Sequence, residues 1–124
     1  MKDILNLTQH TMTYDQEQAG VFEPSSDDKA KIQELLTFHN KPGSWDIDQR
    51  SHALADLAKS YGVKWAMIGD KDAPYLMPRL SKELKRRGIT PLYAFNELQV
   101  VEDVGYDGTV TKKSVFMHAG FVTD

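Results

Sequence analysis

Three short apolar runs constrain this chain more than anything else in it: Ile4 to Leu7, Val63 to Ile68, and Thr90 to Phe95. Each stops in a polar turn: Thr8-Gln9-His10, Gly69-Asp70-Lys71-Asp72 and Asn96-Glu97 respectively. Runs this short, apolar on both alternations and bounded by polar residues, read as buried strands. The segments between them carry a helical period. Strand, helix, strand is the grammar of a parallel sheet covered by helices.

The connecting segments have legible ends. Thr13-Tyr14-Asp15-Gln16 has capping-box spacing and predicts a short helix from Tyr14 to Ala19, stopped by Gly20. Ser25 to Asp28 offers caps and two acids to a second helix, with Ile32, Leu35, Leu36 and Phe38 on one face. A third helix starts at Ser44 or Asp46, where Asp46 and Gln49 form another capping-box pair. It carries Ile47, Leu54, Leu57, Ala58 and Tyr61 inward and closes at Gly62. In Ala73-Pro74-Tyr75-Leu76-Met77-Pro78, Pro78 disfavours the α conformation at Met77. The fourth helix is therefore predicted to begin at Pro78, after an extended or 3₁₀ lead-in, and to end in a Schellman motif at Gly88-Ile89. Its last turns hold Lys82, Lys85, Arg86 and Arg87, which suit the negative end of the helix dipole and read as a solvated face.

Beyond Glu97 the pattern changes. Leu98 to Val104 and Val110 to Phe116 flank Tyr106-Asp107-Gly108-Thr109, a β-hairpin signature. A two-residue turn at Asp107-Gly108 predicts Glu102 opposite Lys113, Asp103 opposite Lys112 and Val100 opposite Val115. The expected architecture is one α/β domain over residues 1–124, a small Rossmann-like parallel sheet with helices on its faces and a C-terminal antiparallel hairpin. The small sheet and the apolar hairpin ends suggest a homo-oligomer.

Composition narrows the function. With 18 acidic and 15 basic residues the formal charge is −3, which gives no footprint for tracking polymeric nucleic acid. There is no cysteine, hence no disulfide, zinc-thiolate site or thiol nucleophile, as suits a reducing compartment. No apolar run approaches the ~18 residues that span a bilayer, and the N-terminus lacks a signal-peptide core. A cytoplasmic protein with no membrane partner is the expectation. GxGxxG after the first strand, a P-loop, GxSxG and HExxH are all absent from the sequence. No cofactor or metal is expected.

In open parallel sheets ligands bind outside the carboxyl ends of the strands. The candidate ligand-binding residues are therefore Thr8, Gln9 and His10, Gly69 and Asp70, Asn96, and His118 just after the hairpin. The Asp70 to Tyr75 turn is expected to close over the ligand, and Tyr75 or Tyr93 to stack on a base, with Tyr93 also fitting the core. His10 is the proton mover of the set and the catalytic candidate if the protein is an enzyme. It serves equally well as a residue that satisfies loop backbone groups. Asp70 and Asp72 fit an Asx-turn and helix cap better than a metal site. His39 and His52 read as structural or surface residues.

The blocks Leu5-Asn6-Leu7-Thr8-Gln9-His10, Thr13 with Gln16, Ala66-Met67-Ile68-Gly69, Ala73 to Pro78 and Pro91 to Phe95 resemble an uncharacterised family of small bacteriophage and prophage proteins. Where that family tends to have Gly after the second strand this chain has Asp70. Where it often has Ser and Arg after the third, this chain has Asn96 and Leu98. Asn6, His10 and the Thr13 to Gln16 pattern are also distantly similar to the start of small CRISPR-associated Rossmann-like proteins of ring-nuclease type. That resemblance adds Asn6 to the candidate site. It implies a domain that acts on or holds nucleotide second messengers of antiviral signalling, a cyclic oligonucleotide or an ADP-ribose derivative, and a phage protein that sequesters such a signal. The alternatives are a phosphodiesterase or other hydrolase that degrades it, and an inhibitor that binds a host protein through the hairpin edge.

Overall fold

Leu5 and Leu7 are buried on one side of the first strand and Ile4 on the other, so this strand has to lie inside a sheet with both faces covered. The computed structural model describes residues 3–69 and 73–123 and places it there. β1 (Ile4–Asn6) pairs in parallel with β2 (Val21–Phe22) on one side and with β3 (Trp65–Ile68) on the other. β3 pairs in parallel with β4 (Thr90–Val104), and β4 pairs antiparallel with β5 (Val110–Thr123). The strand order is β2-β1-β3-β4-β5. The mixed α/β sheet with an antiparallel terminal hairpin is the expected class, and β2 is an addition to it. Two residues are too few to show a period, yet Val21 is wholly buried beside Ile4, Met67 and Leu92.

The helices are α1 (Tyr14–Gln18), α2 (Ser26–Leu36), α3 (Ser44–Ser60) and α4 (Met77–Arg86), with a 3₁₀ turn at Pro74–Leu76 leading into α4. α2, α3 and α4 bring Ile32, Leu36, Leu54, Ala58, Leu80 and Leu84 into one cluster with Leu5, Ala66 and Ile68. Because strand residues alternate, Ile4, Met67 and Leu92 face the other way. They form a smaller cluster, with Met12, Ala94 and Phe121 half-buried against it.

Local chemistry accounts for most helix ends. Thr13 and Gln16 form the reciprocal capping box at α1, and Ser25 Oγ accepts the Asp28 N–H at α2. Behind α4, the Ile89 N–H reaches the Leu84 carbonyl and the Gly88 N–H that of Lys85, which is the Schellman pattern. Two expectations are corrected. α3 starts at Ser44, one of the two expected starts, but the Asp46–Gln49 capping box does not form: the N-cap is Gly43, which has no side chain to cap with, and Asp46 inside the first turn pairs with Arg50 Nε at 3.0 Å. Met77 is helical despite preceding Pro78, since the 3₁₀ turn has already set the chain in helical geometry.

The hairpin is corrected in two respects. β4 does not stop at Asn96 but runs on to Val104, with a register irregularity between Ala94 and Asn96 where it continues beyond the parallel sheet. The turn has three residues, not two. The Gly105 N–H bonds the Thr109 carbonyl at 2.8 Å and the Gly108 N–H bonds the Gly105 carbonyl at 3.1 Å, with Gly108 at φ +82°. This is a type I turn closed by a glycine bulge, and its third loop position needs positive φ. The extra residue moves the register by one, so that Glu102 faces Lys112, Asp103 faces Thr111 and Val100 faces Ser114.

Candidate functional site: a cleft at the strand-order switch point

The chain leaves β1 toward β2 on one side, and β3 lies on the other, so the strand order reverses between β1 and β3. Loops leaving two such strands diverge and open a crevice at their carboxyl ends. A cleft of about 600 Å³ lies there. Thr8, His10 and Thr11 from the loop after β1, with Thr13 and Gln16 of α1, form one wall; Met67, Ile68 and Gly69 form the end of β3. Pro74 and Met77 close it from the start of α4, and Tyr93 and Ala94 from β4. Gly69 has φ +133°, a conformation that any side chain would strain, while a Cβ there would make only ordinary contact with the Tyr93 ring at 3.7 Å.

The loop after β1 is held by a buried polar knot centred on Asn6, which is 1% exposed. Its Oδ1 accepts the Thr8 N–H at 3.0 Å and the Thr8 hydroxyl at 2.7 Å. Its Nδ2 donates to the His10 carbonyl and to Glu23 Oε1, both at 2.7 Å. Glu23 also accepts the Met12 N–H at 2.9 Å and pairs with Lys29 Nζ at 2.6 Å. Burial alone would raise the Glu23 pKa, but the bonds from Lys29, Asn6 and the Met12 N–H outweigh it and hold the carboxyl below its ordinary value. The outcome is a fixed backbone that presents an exposed His10 side chain to the cleft.

The sequence-derived residues separate accordingly. Thr8, His10 and Gly69 line the cleft. Asn6 lies beneath it with both ends of its amide engaged by protein groups. Gln9 turns away and donates to the Leu36 carbonyl at the end of α2 at 3.2 Å. Tyr75 packs edge-on against Phe38, centroids 5.3 Å apart, and Phe38 in turn lies under the Arg50 guanidinium. Asp70 lies outside the described residues, as does Asp72. Asn96 and His118 are register partners in the hairpin, and their side chains fall outside the described set.

Tyr93 joins the cleft wall as well as packing against the core. Sequence reasoning missed Met67, Pro74, Met77 and Glu23. Strand alternation could have indicated Met67, but the partnership of Asn6 with Glu23 spans 17 residues and has no local signal. Lys82, Lys85 and Arg86 line a different groove with Pro78 and Ser81 and do not border the cleft. His39 is exposed, and His52 sits on α3 with Nδ1 3.3 Å from Arg87 Nη2. Among the described residues no three His, Cys, Asp or Glu side chains converge as a metal site would require.

The chain is a mixed α/β protein whose strand-order switch point carries a cleft with an apolar floor, a tyrosine ring and a polar rim. The chain belongs to the Uncharacterized protein MJ1673 family, which it matches over residues 2–122. No curated protein and no solved structure matches it.

Proposed function

We propose that this cleft captures a nucleotide-derived small molecule, of cyclic-oligonucleotide or ADP-ribose type, and that the protein acts by sequestering it. The observation that carries this reading is the coincidence of the cleft with the β1/β3 switch point. The lining suits the ligand class. Tyr93 with Met67, Met77 and Pro74 offers apolar surface for a flat base, and His10, Thr11 and Thr13 supply hydrogen-bonding groups at the rim. Among the described lining residues no carboxylate accompanies His10, and capture needs none. In the phage or prophage setting suggested by the sequence blocks, holding an immune signal of this kind counters host defence.

The test is to incubate the purified protein with a panel of cyclic oligonucleotides and ADP-ribose derivatives, remove free ligand, heat, and analyse the released material by mass spectrometry. Intact release supports capture, and altered product identifies a hydrolase with His10 as its acid or base. Retention of no compound removes both readings. Tyr93→Ala is expected to weaken retention roughly tenfold or more, the scale of a lost base–aromatic stack at ~1–3 kcal/mol.

A further inference from the structure

The last residue of β4 to pair with β3 is Tyr93. From Asn96 to Val104 β4 pairs with β5 alone, nine residues against nine, down to Val110. At ~3.3 Å per residue this is an arm about 30 Å long. A two-stranded ribbon of this kind is marginal in water unless one face is covered.

The arm has such a face. Leu98, Val100, Val104 and Val110 share one side and are 57%, 65%, 66% and 52% exposed, with Glu102, Lys112 and Ser114 among them. The opposite side carries Val101 with Asp103, Thr111 and Lys113. An apolar alternation kept on one side of a strand pair is the mark of a surface that packs on something.

We propose that a second copy of this chain covers that face, the two arms packing face to face about a twofold axis that runs along them. An isologous contact requires a surface complementary to itself. This one is. The acid on this face, Glu102, lies on β4 and the base, Lys112, on β5 in the same register row. A twofold along the arm lays β4 of one copy over β5 of the other with no shift in register. Glu102 then meets the partner's Lys112, twice per dimer, and Val104 meets the partner's Val110. Within one chain the Glu102–Lys112 contact is a loose 3.9 Å between exposed side chains, which leaves both groups able to engage a partner.

This inference is independent of the ligand reading, and charge exchange tests it. Light scattering across a concentration series should show the full-length protein approaching twice its 14.1 kDa chain mass. E102K and K112E should each raise the dimer dissociation constant roughly tenfold or more, because each sets like charges face to face twice. Mixing the two variants should restore association as a heterodimer, since every contact across the interface is then of opposite sign. Within each variant chain the pair stays like-charged, so an intrachain effect gives no rescue on mixing. A monomeric wild type, dimerisation unaffected by either variant, or a mixture that stays monomeric would each overturn the proposal. Association with only a foreign protein strand on the β5 edge would do so as well.

Discussion

Asn6 shows how a polar residue at a strand end shapes a cleft that it does not line. Buried, with its amide oxygen and nitrogen each bonded twice, it fixes the loop that carries His10. Asn6→Ala leaves Thr8 and Glu23 short of buried partners and should cost about 2–4 kcal/mol in urea unfolding. A loss below about 0.5 kcal/mol would show that the knot is dispensable. Glu23 adds a pH dependence. Its folded pKa lies below the ordinary 4.5, so its contribution is complete above that value and is lost as pH falls through the folded pKa. Denaturation midpoints of the wild type should therefore fall below pH 4.5 more steeply than those of Glu23→Gln. Equal slopes would mean that Glu23 is not the group responsible. Asn6 enters the candidate site from sequence only through the resemblance of the chain's opening block. Only the distant partners Glu23 and Lys29 reveal that it supports the site from beneath.

At the scale of elements, what can be read from sequence follows the range of the interaction that decides it. The capping box at Thr13, the Ser25 cap and the Gly88-Ile89 ending are decided within a few residues, and each forms as its spacing predicts. The hairpin register turns on whether Gly108 ends a two-residue or a three-residue loop. Both loops suit the same Asp-Gly pair, so the sequence alone left the register one residue off. β2 exists only because β1 has an open edge to receive it. The α3–α4 contact is of the same distant kind. Glu83 is 3% exposed and accepts from Arg87 at 3.1 Å, while Arg87 Nε reaches Asp56 of α3 at 2.8 Å. Arg87→Ala leaves that carboxylate only the longer contacts from Arg86 at 3.4 Å and His52 at 3.5 Å, and should lower stability by about 1–3 kcal/mol. Arg87→Lys should recover less than half, since an ammonium cannot reach both acids with the guanidinium's fork. Full recovery in thermal or urea unfolding would show that charge alone, not geometry, joins the helices.

At the scale of the whole molecule, the three strand ends named from sequence do not contribute equally. The order β2-β1-β3-β4-β5 sets β1 beside β3, and the cleft lies at their carboxyl ends, whereas β4 lends Tyr93 and Ala94 to its wall and continues outward as the arm. Gln9 and Tyr75 are near the right strand ends in sequence, but their side chains serve the end of α2 and the Phe38 ring. The molecule thus separates a cleft in the body from an apolar face on the arm, and the two should respond to different variables. A ligand at 100 times its dissociation constant stabilises the fold by about 2.7 kcal/mol. That stabilisation should appear as slowed amide exchange in the cleft segments 8–13, 67–69 and 93–94. Raising protein concentration without ligand should instead slow exchange at 98–104 and 110–114, the face proposed to pack on a second copy. Slowed exchange in the arm on adding ligand at fixed concentration would mean that the cleft and the arm are coupled through the register irregularity between Ala94 and Asn96. Capture and self-association would then be one linked equilibrium, in which ligand also tightens the dimer.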